Sequence, residues 1–214
     1  GGDEAKECYS AIAGIAQQFA AVGDVVTLLW VPWPHEVEAL GEAEIERLRA
    51  YYFEMFLINL ELLPNSKELM PTWWSREKQS ITVYHYLRDQ QFDAVYFALE
   101  EGLGYFTLLA KEVGVCASLP RLHVIAQAPI TWLSEVNKFF LKDEHQVTIA
   151  HMEKYCAEAA DCLISTSQAL VSWMKGKGWR FPDNTEVLAP LRPYEWRLPA
   201  IGTRPGLRTG VATE

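Results

Sequence analysis

Residues 151–178, HMEKYCAEAADCLISTSQALVSWMKGKG, constrain the fold most, because their patterns follow one another in an order that few architectures accept. Ile149, Met152, Cys156 and Ala159 recur at the one-face spacing of a helix, and Glu153, Lys154 and Glu158 between them are expected on the polar face. Ala160-Asp161 closes that helix, and residues 162–164, Cys-Leu-Ile, form a short apolar run of the kind buried in a parallel sheet. Ser165, Thr166 and Ser167 then offer hydroxyls where a new helix begins, since such side chains accept from its unpaired N–H groups. Leu170, Val171 and Met174 supply the next apolar face, and Gly176 and Gly178 end it. Helix, strand, turn and helix in this order are half of a βαβ unit.

The same alternation runs along most of the chain. Residues 4–22 read as an amphipathic helix with Cys8, Ile12, Ile15, Ala16 and Phe19 on one face and Asp3 as its cap. Residues 25–31 are an aliphatic and β-branched run, hence a buried strand, stopped by Pro32 and Pro34. Residues 42–51 suggest a short charged helix, and 53–60 a strand with helix as the alternative. Residues 63–74 read as a loop and 75–90 as a helix with Ile81, Tyr84 and Leu87 inward. Strands at 92–98 and 121–126 flank a further helix after the turn at 100–102. Pro129 opens an irregular stretch that reaches a long helix at 143–160, and 185–189 supplies the last strand. Such alternation predicts a Rossmann-like, doubly wound α/β domain with a mainly parallel sheet. The domain is expected over 1–190, with 191–214, rich in Pro, Gly and Arg, as a linker or tail. A domain of this kind normally opens with a strand feeding a glycine turn, whereas this sequence opens at the turn, so the first strand is expected to be missing.

Composition narrows the function. A net charge of −9 argues against broad nucleic-acid binding, which requires a basic stripe to displace counterions. No apolar run approaches the roughly 18 residues that cross a bilayer, and the first residues have neither a basic flank nor an apolar core. A soluble, cytoplasmic chain is the expectation. Cys8, Cys116, Cys156 and Cys162 form no metal-type or redox-type spacing and read as buried thiols. His145 and His151 fall on roughly opposite faces of a helix and do not make a metal pair.

The string AADCLISTSQALVSWMKGKGW is similar to the "aD.vi.pS..l..w....gw" passage of the N-terminal domain of GT-B retaining glycosyltransferases, family 4 (glycosyl transferases group 1). Two further segments carry the likeness, which is strongest over 86–179. The segment AQAPITWLSEVNK resembles the family's T-H-S-P-T-x-W-H-x-E-x-N, matching at Pro129, Trp132, Glu135 and Asn137. Gln127 stands where the family has histidine, and Leu133 where it has a second one; an amide orients by hydrogen bonds but does not serve as a proton donor in its place. Residues 100–105, EEGLGY, resemble the family's GLGY segment.

The resemblance implies the acceptor-side half of a two-domain, metal-independent and cofactor-free enzyme that transfers a sugar from a nucleotide sugar to an acceptor hydroxyl with retention. Gln127 would be the residue at the reacting centre, and Gly1, Gly2, Glu101, Gly102, Pro129, Trp132, Glu135, Asn137 and Ser167 would line the substrate site. Its partners would be the sugar acceptor and a C-terminal donor-binding domain, with membrane contact if the acceptor is a lipid. Only 25 residues follow Ala189, too few for that domain, so no turnover is expected from this chain alone.

Blander readings stand beside each assignment. Gly1-Gly2 is also what an expression tag leaves behind, the carboxylates of Glu100 and Glu101 also favour a helix N-terminus, and Pro129 and Trp132 also shape a packed loop. Ser167 also caps a helix. Trp73-Trp74 would stack on a sugar or simply be buried, and the E-x7-E spacings of Glu36/Glu44 and Glu46/Glu54 lack the glycine and proline setting of a donor motif. The alternative function is a degenerate, non-catalytic domain that binds a glycan or a protein; an unrelated nucleotide-binding module is the third.

Overall fold

The structure is a computed structural model that describes residues 12, 14–31, 34–63 and 76–188, with the backbone alone for 34–40. Gly1, Gly2, Cys8, Trp73, Trp74 and the expected linker at 191–214 lie outside the described residues. Helix α1 (14–21) leads to β1 (Val26–Trp30), α2 (Pro34–Phe56) and β2 (Ile58–Leu62). The chain continues through α3 (Arg76–Arg88), β3 (Ala94–Ala98), a 3-10 turn (Glu100–Gly102), α4 (Tyr105–Glu112) and β4 (Arg121–Ala126). Helices α5 (Ile130–Val136) and α6 (Glu144–Ala159), β5 (Cys162–Ser165), α7 (Gln168–Gly176) and β6 (Thr185–Val187) complete it.

All strand pairings are parallel. β1 pairs with β2, and a four-stranded sheet runs in the order β3-β4-β5-β6. Successive side chains of a strand point to opposite faces, and the core divides accordingly. Phe97, Leu122, Val124 and Leu163 meet Val83, Leu108, Cys156, Leu170 and Met174 of α3, α4, α6 and α7 on one face. Ile125, Cys162 and Ile164 meet Ile12 and Ile15 of the first helix on the other. Helices on both faces of a parallel layer make this a Rossmann-like α/β fold. Leu122, Val124 and Leu163 are fully buried, each worth about 1.5–3 kcal/mol of apolar transfer.

Three expectations need correction. Residues 53–60 are not one strand: α2 continues to Phe56, and β2 starts at Ile58. Tyr52 and Phe56, four apart, belong with Tyr51 in one aromatic cluster on the helix, and Leu57 at φ 57 turns the chain out of it. Gly41, at φ 69 and ψ 159, breaks α2 just before Glu42, where the helix had been expected to begin. The stretch after Pro129 is not irregular, because seven residues form α5 with Pro129 in extended geometry before them. In α3 the inward face is Ser80, Val83 and Leu87; Ile81 is exposed.

Gly102 fixes how closely α6 can approach the sheet. Its φ is 65, and a Cβ there would sit 2.5 Å from Cβ of Met152, itself 1% exposed. Gly102→Ala is therefore expected to cost about 2–3 kcal/mol, from left-handed strain plus overpacking. Gly114→Ala, at φ 74 but in open space, should cost only the strain, about 1 kcal/mol. Urea denaturation of both variants checks the difference.

Candidate functional site

Parallel strands bring their carboxyl ends to one edge, where open α/β sheets hold ligands. The β3–β4 ladder extends by one bond, from Leu99 N–H to the carbonyl of Ile125 at 2.9 Å, and both chains then turn away. The turn after β3 is sharp, with Glu101 at φ 66 and Gly102 at φ 65. A non-glycine residue held there implies that its surroundings overdetermine it.

Four backbone N–H bonds to carboxyl oxygens and one ion pair do so. Oε1 of Glu100 accepts from the N–H of Gln127 at 2.9 Å and of Ala128 at 2.6 Å, tying the loop after β3 to the loop after β4. Glu153, reaching up from α6, accepts from Glu101 N–H at 3.0 Å on one oxygen and from Ile130 N–H at 2.8 Å on the other. Arg76, at the start of α3 and 1% exposed, forms an ion pair with the carboxylate of Glu101 and donates to Gln79 Oε1 at 2.5 Å. Ser80 Oγ accepts from Phe106 N–H at 3.0 Å, at the start of α4. Buried polar groups need such partners, and here they make two loops one unit.

Glu153 corrects the helical reading of α6. It had been placed on the polar face, yet it is 2% exposed. The signal was in the spacing: it lies four residues after Ile149 and three before Cys156, on the inward stripe. Burial pushes its carboxyl up to about 8, with the nearby charges of Glu100 and Glu101 adding to the rise, against two backbone hydrogen bonds that pull it down. Arg76, Gln79 and Ser80 were likewise unrecognised, being polar residues spread along a helix whose partners lie far away in sequence.

The expected site residues divide into groups. Glu101, Gly102, Gln127 and Pro129 belong to the interlocked loops, with Gln127 half-buried and the Pro129 carbonyl accepting from Leu133 N–H at 3.0 Å. Ser167 is close by, since Ser165 pairs in register with Ala126. Its hydroxyl accepts from Leu170 N–H at 3.3 Å, so it does cap α7. Trp132 and Glu135 instead join α5 to α7: Trp132 packs edge-on against Trp173 at 5.2 Å, and Glu135 accepts from Trp173 Nε1 at 2.7 Å while ion-pairing with Lys177. Those two partners hold its carboxyl below the usual range. Asn137 ends α5, its N–H donating to the Leu133 carbonyl at 2.9 Å, with its side chain exposed.

A cavity of about 440 Å³ lies elsewhere, between α7 and β6, lined by Gln168, Val171, Lys175, Trp179, Phe181 and Val187 among others. None of the expected site residues lines it. Glu44 and Glu46 are occupied on the α2 surface by Arg47 and Arg49, each at 2.6 Å. Cys116, Cys156 and Cys162 are free and buried, and the described residues contain no cluster of three metal-ligating side chains. Comparison with protein families, curated proteins and solved structures finds no match to this chain.

Proposed function

We propose that the carboxyl edge around residues 99–104, 127–129 and 166–168 is the acceptor wall of a sugar-transferring enzyme. In this reading the chain is the acceptor-side domain of a retaining glycosyltransferase, and another domain supplies the nucleotide sugar. The observation that carries it is the interlocking of the two segments that resemble the family. Glu100 and Glu153 tie the EEGLGY turn to the loop at Gln127, making a preorganised rim where open α/β sheets bind ligands. The Gln127 amide would orient an acceptor hydroxyl by accepting from it and donating to it. The carboxyl groups of Glu100 and Glu153 accept from backbone N–H groups and would shape the wall without touching the sugar.

Use of a nucleotide sugar goes with a cytoplasmic location. Among the described residues no helix is long and apolar enough to cross a membrane. A second reading, a domain that binds glycans without transferring them, draws on the Gln127 substitution and on the capture of Glu135 by Trp173 and Lys177. Restoring Gln127→His in a longer, active protein and finding the rate unchanged would count against that reading.

Titrating the isotope-labelled chain with methyl glucoside and methyl mannoside tests the proposal. Millimolar binding with amide shifts confined to 99–104, 127–128 and 166–168 is expected, together with no release of sugar from UDP-glucose. Shifts centred on the α7–β6 cavity, or turnover at an ordinary enzyme rate of about 1–10³ s⁻¹ by this chain alone, would sink it.

A further inference from the structure

The amino end of the β1–β2 pair lies opposite the carboxyl edge and carries apolar side chains that the described chain leaves in solvent. β1 and β2 are parallel and both begin there, with Val26 and Ile58 in register. α2 ends at the same place, since Leu57 alone separates Phe56 from β2. α1 ends there too, because Gly23, at φ 99, turns it directly toward β1. Ala16 and Ala20 of α1 share a cluster with Leu48, Tyr52 and Phe56 of α2, so the two helices lie side by side over the strands.

Five apolar residues gather at these ends. Val22 follows α1 and is 79% exposed, and Val25, just before β1, is 90% exposed. Leu57 precedes Ile58 as Val25 precedes Val26, so the two are neighbours across the strands. The Leu57 N–H donates to the Phe53 carbonyl at 3.0 Å, which holds Leu57 against the last turn of α2 with its Phe53 and Met55. Phe53, Met55 and Leu57 are each more than half exposed. Single apolar residues scattered over a surface need no explanation, but five in one place do. Together they leave on the order of 500 Å² of apolar surface in water, the size at which a patch on a monomer marks an interaction.

Charge and area select the occupant. Asp24 and Glu54 are exposed beside the patch, and with a net charge of −9 they oppose an anionic lipid surface or a nucleic acid. Arg49, four residues before Phe53 and so on its side of α2, pairs with Glu46 at 2.6 Å. An apolar centre with a rim of both signs has the anatomy of a protein interface, and a second copy of the same face can match it about a two-fold axis. Homodimer interfaces are about 65% apolar, so about 500 Å² of apolar surface implies about 800 Å² per copy, the standard size of a stable pair. We propose that two copies of this chain associate through this face, as an isologous dimer centred on Val22, Val25, Phe53, Met55 and Leu57. The pairing turns both carboxyl edges outward and leaves them open, so the inference goes beyond the acceptor wall and does not depend on it.

Sedimentation velocity on the chain from about 1 to 200 µM tests it, with a mass rising from 24.3 kDa toward twice that value and a Kd of about 10 µM or tighter expected. Amide shifts on dilution should fall on 18–25 and 49–57. Val25→Lys combined with Phe53→Lys, at exposed positions, should weaken association at least 100-fold with an unchanged circular dichroism spectrum. Val115→Lys, at a comparably exposed valine after α4, should leave it as it was. A chain monomeric at about 200 µM would overturn the proposal. So would a dimer that survives the double substitution, or dilution shifts at Val136, Phe140 and Val147, the exposed apolar residues around the α5–α6 connection. Flotation of a monomeric chain with phosphatidylcholine vesicles, lost in the double variant, would assign the patch to a lipid surface instead.

Discussion

Arg76→Ala is expected to destabilise the fold by about 2–4 kcal/mol, from the void left by a buried side chain and the lost bond to Gln79, the Glu101 carboxylate being 38% exposed. Arg76 is 1% exposed at the first turn of α3, and its guanidinium meets both the Glu101 carboxylate and Gln79. Alanine leaves a void, and it leaves Glu101 at φ 66 with nothing to hold its carboxylate. The pair as a whole should be worth far less than either half, because two well-placed apolar or small groups avoid the desolvation cost. Arg76→Met combined with Glu101→Gly fills the space and relieves the left-handed strain, and it should recover most of the loss. Urea denaturation at neutral pH reads both. A single alanine variant within about 1 kcal/mol of the parent would mean that Arg76 does not support the turn.

Glu153 should make stability fall as pH rises. Its carboxyl is raised from 4.5 to about 8 in the fold, chiefly by burial, so the folded state holds a proton that the unfolded state has released. The sign follows: this contribution is complete below about 4.5, declines through the interval and is gone above about 8. At about 1.4 kcal/mol per unit, its size is on the order of 5 kcal/mol. Glu153→Gln removes the titration but turns an amide NH₂ toward one of the two backbone N–H donors, costing about 1–3 kcal/mol at every pH. The parent should therefore be the more stable below about pH 5, the two should cross between about pH 5 and 7, and the variant should be the more stable at about pH 8.5. Parallel profiles across that range would show that Glu153 is ionised in the fold.

Periodicity carried most of the fold into view, since alternation of apolar runs and amphipathic stretches survives in any single segment. Residues 151–178 illustrate this: helix, strand, Ser167 cap and second helix all stand where the spacing puts them. The misreadings arose where local pattern is ambiguous. Seven residues are too few for α5 to show a period, and Tyr52–Phe56 alternates as a strand does until the aromatic cluster four residues apart is seen. The loops at Glu101 and Gln127 were legible because they follow strands. Their joining was not, because it rests on side chains acting across 23 to 52 residues of sequence. Glu153 and Arg76 hold that junction from below, and charged residues at such positions look like solvated helix faces until the partner loops are packed on them.

Hydrogen exchange at the amides of Glu101, Gln127, Ala128 and Ile130 tests most directly whether the two loops form one rim. Although they lie in loops or at a helix start, they should be protected nearly as well as the amides of β4, because each donates to a carboxyl oxygen. In Glu153→Ala the amides of Glu101 and Ile130 should lose protection roughly 10- to 100-fold, the equivalent of the about 1–3 kcal/mol an acceptor is worth, and those of Gln127 and Ala128 should weaken with them. Four amides exchanging as fast as that of Gly114 in the parent, or a loss confined to the two that contact Glu153, would contradict a single preorganised wall.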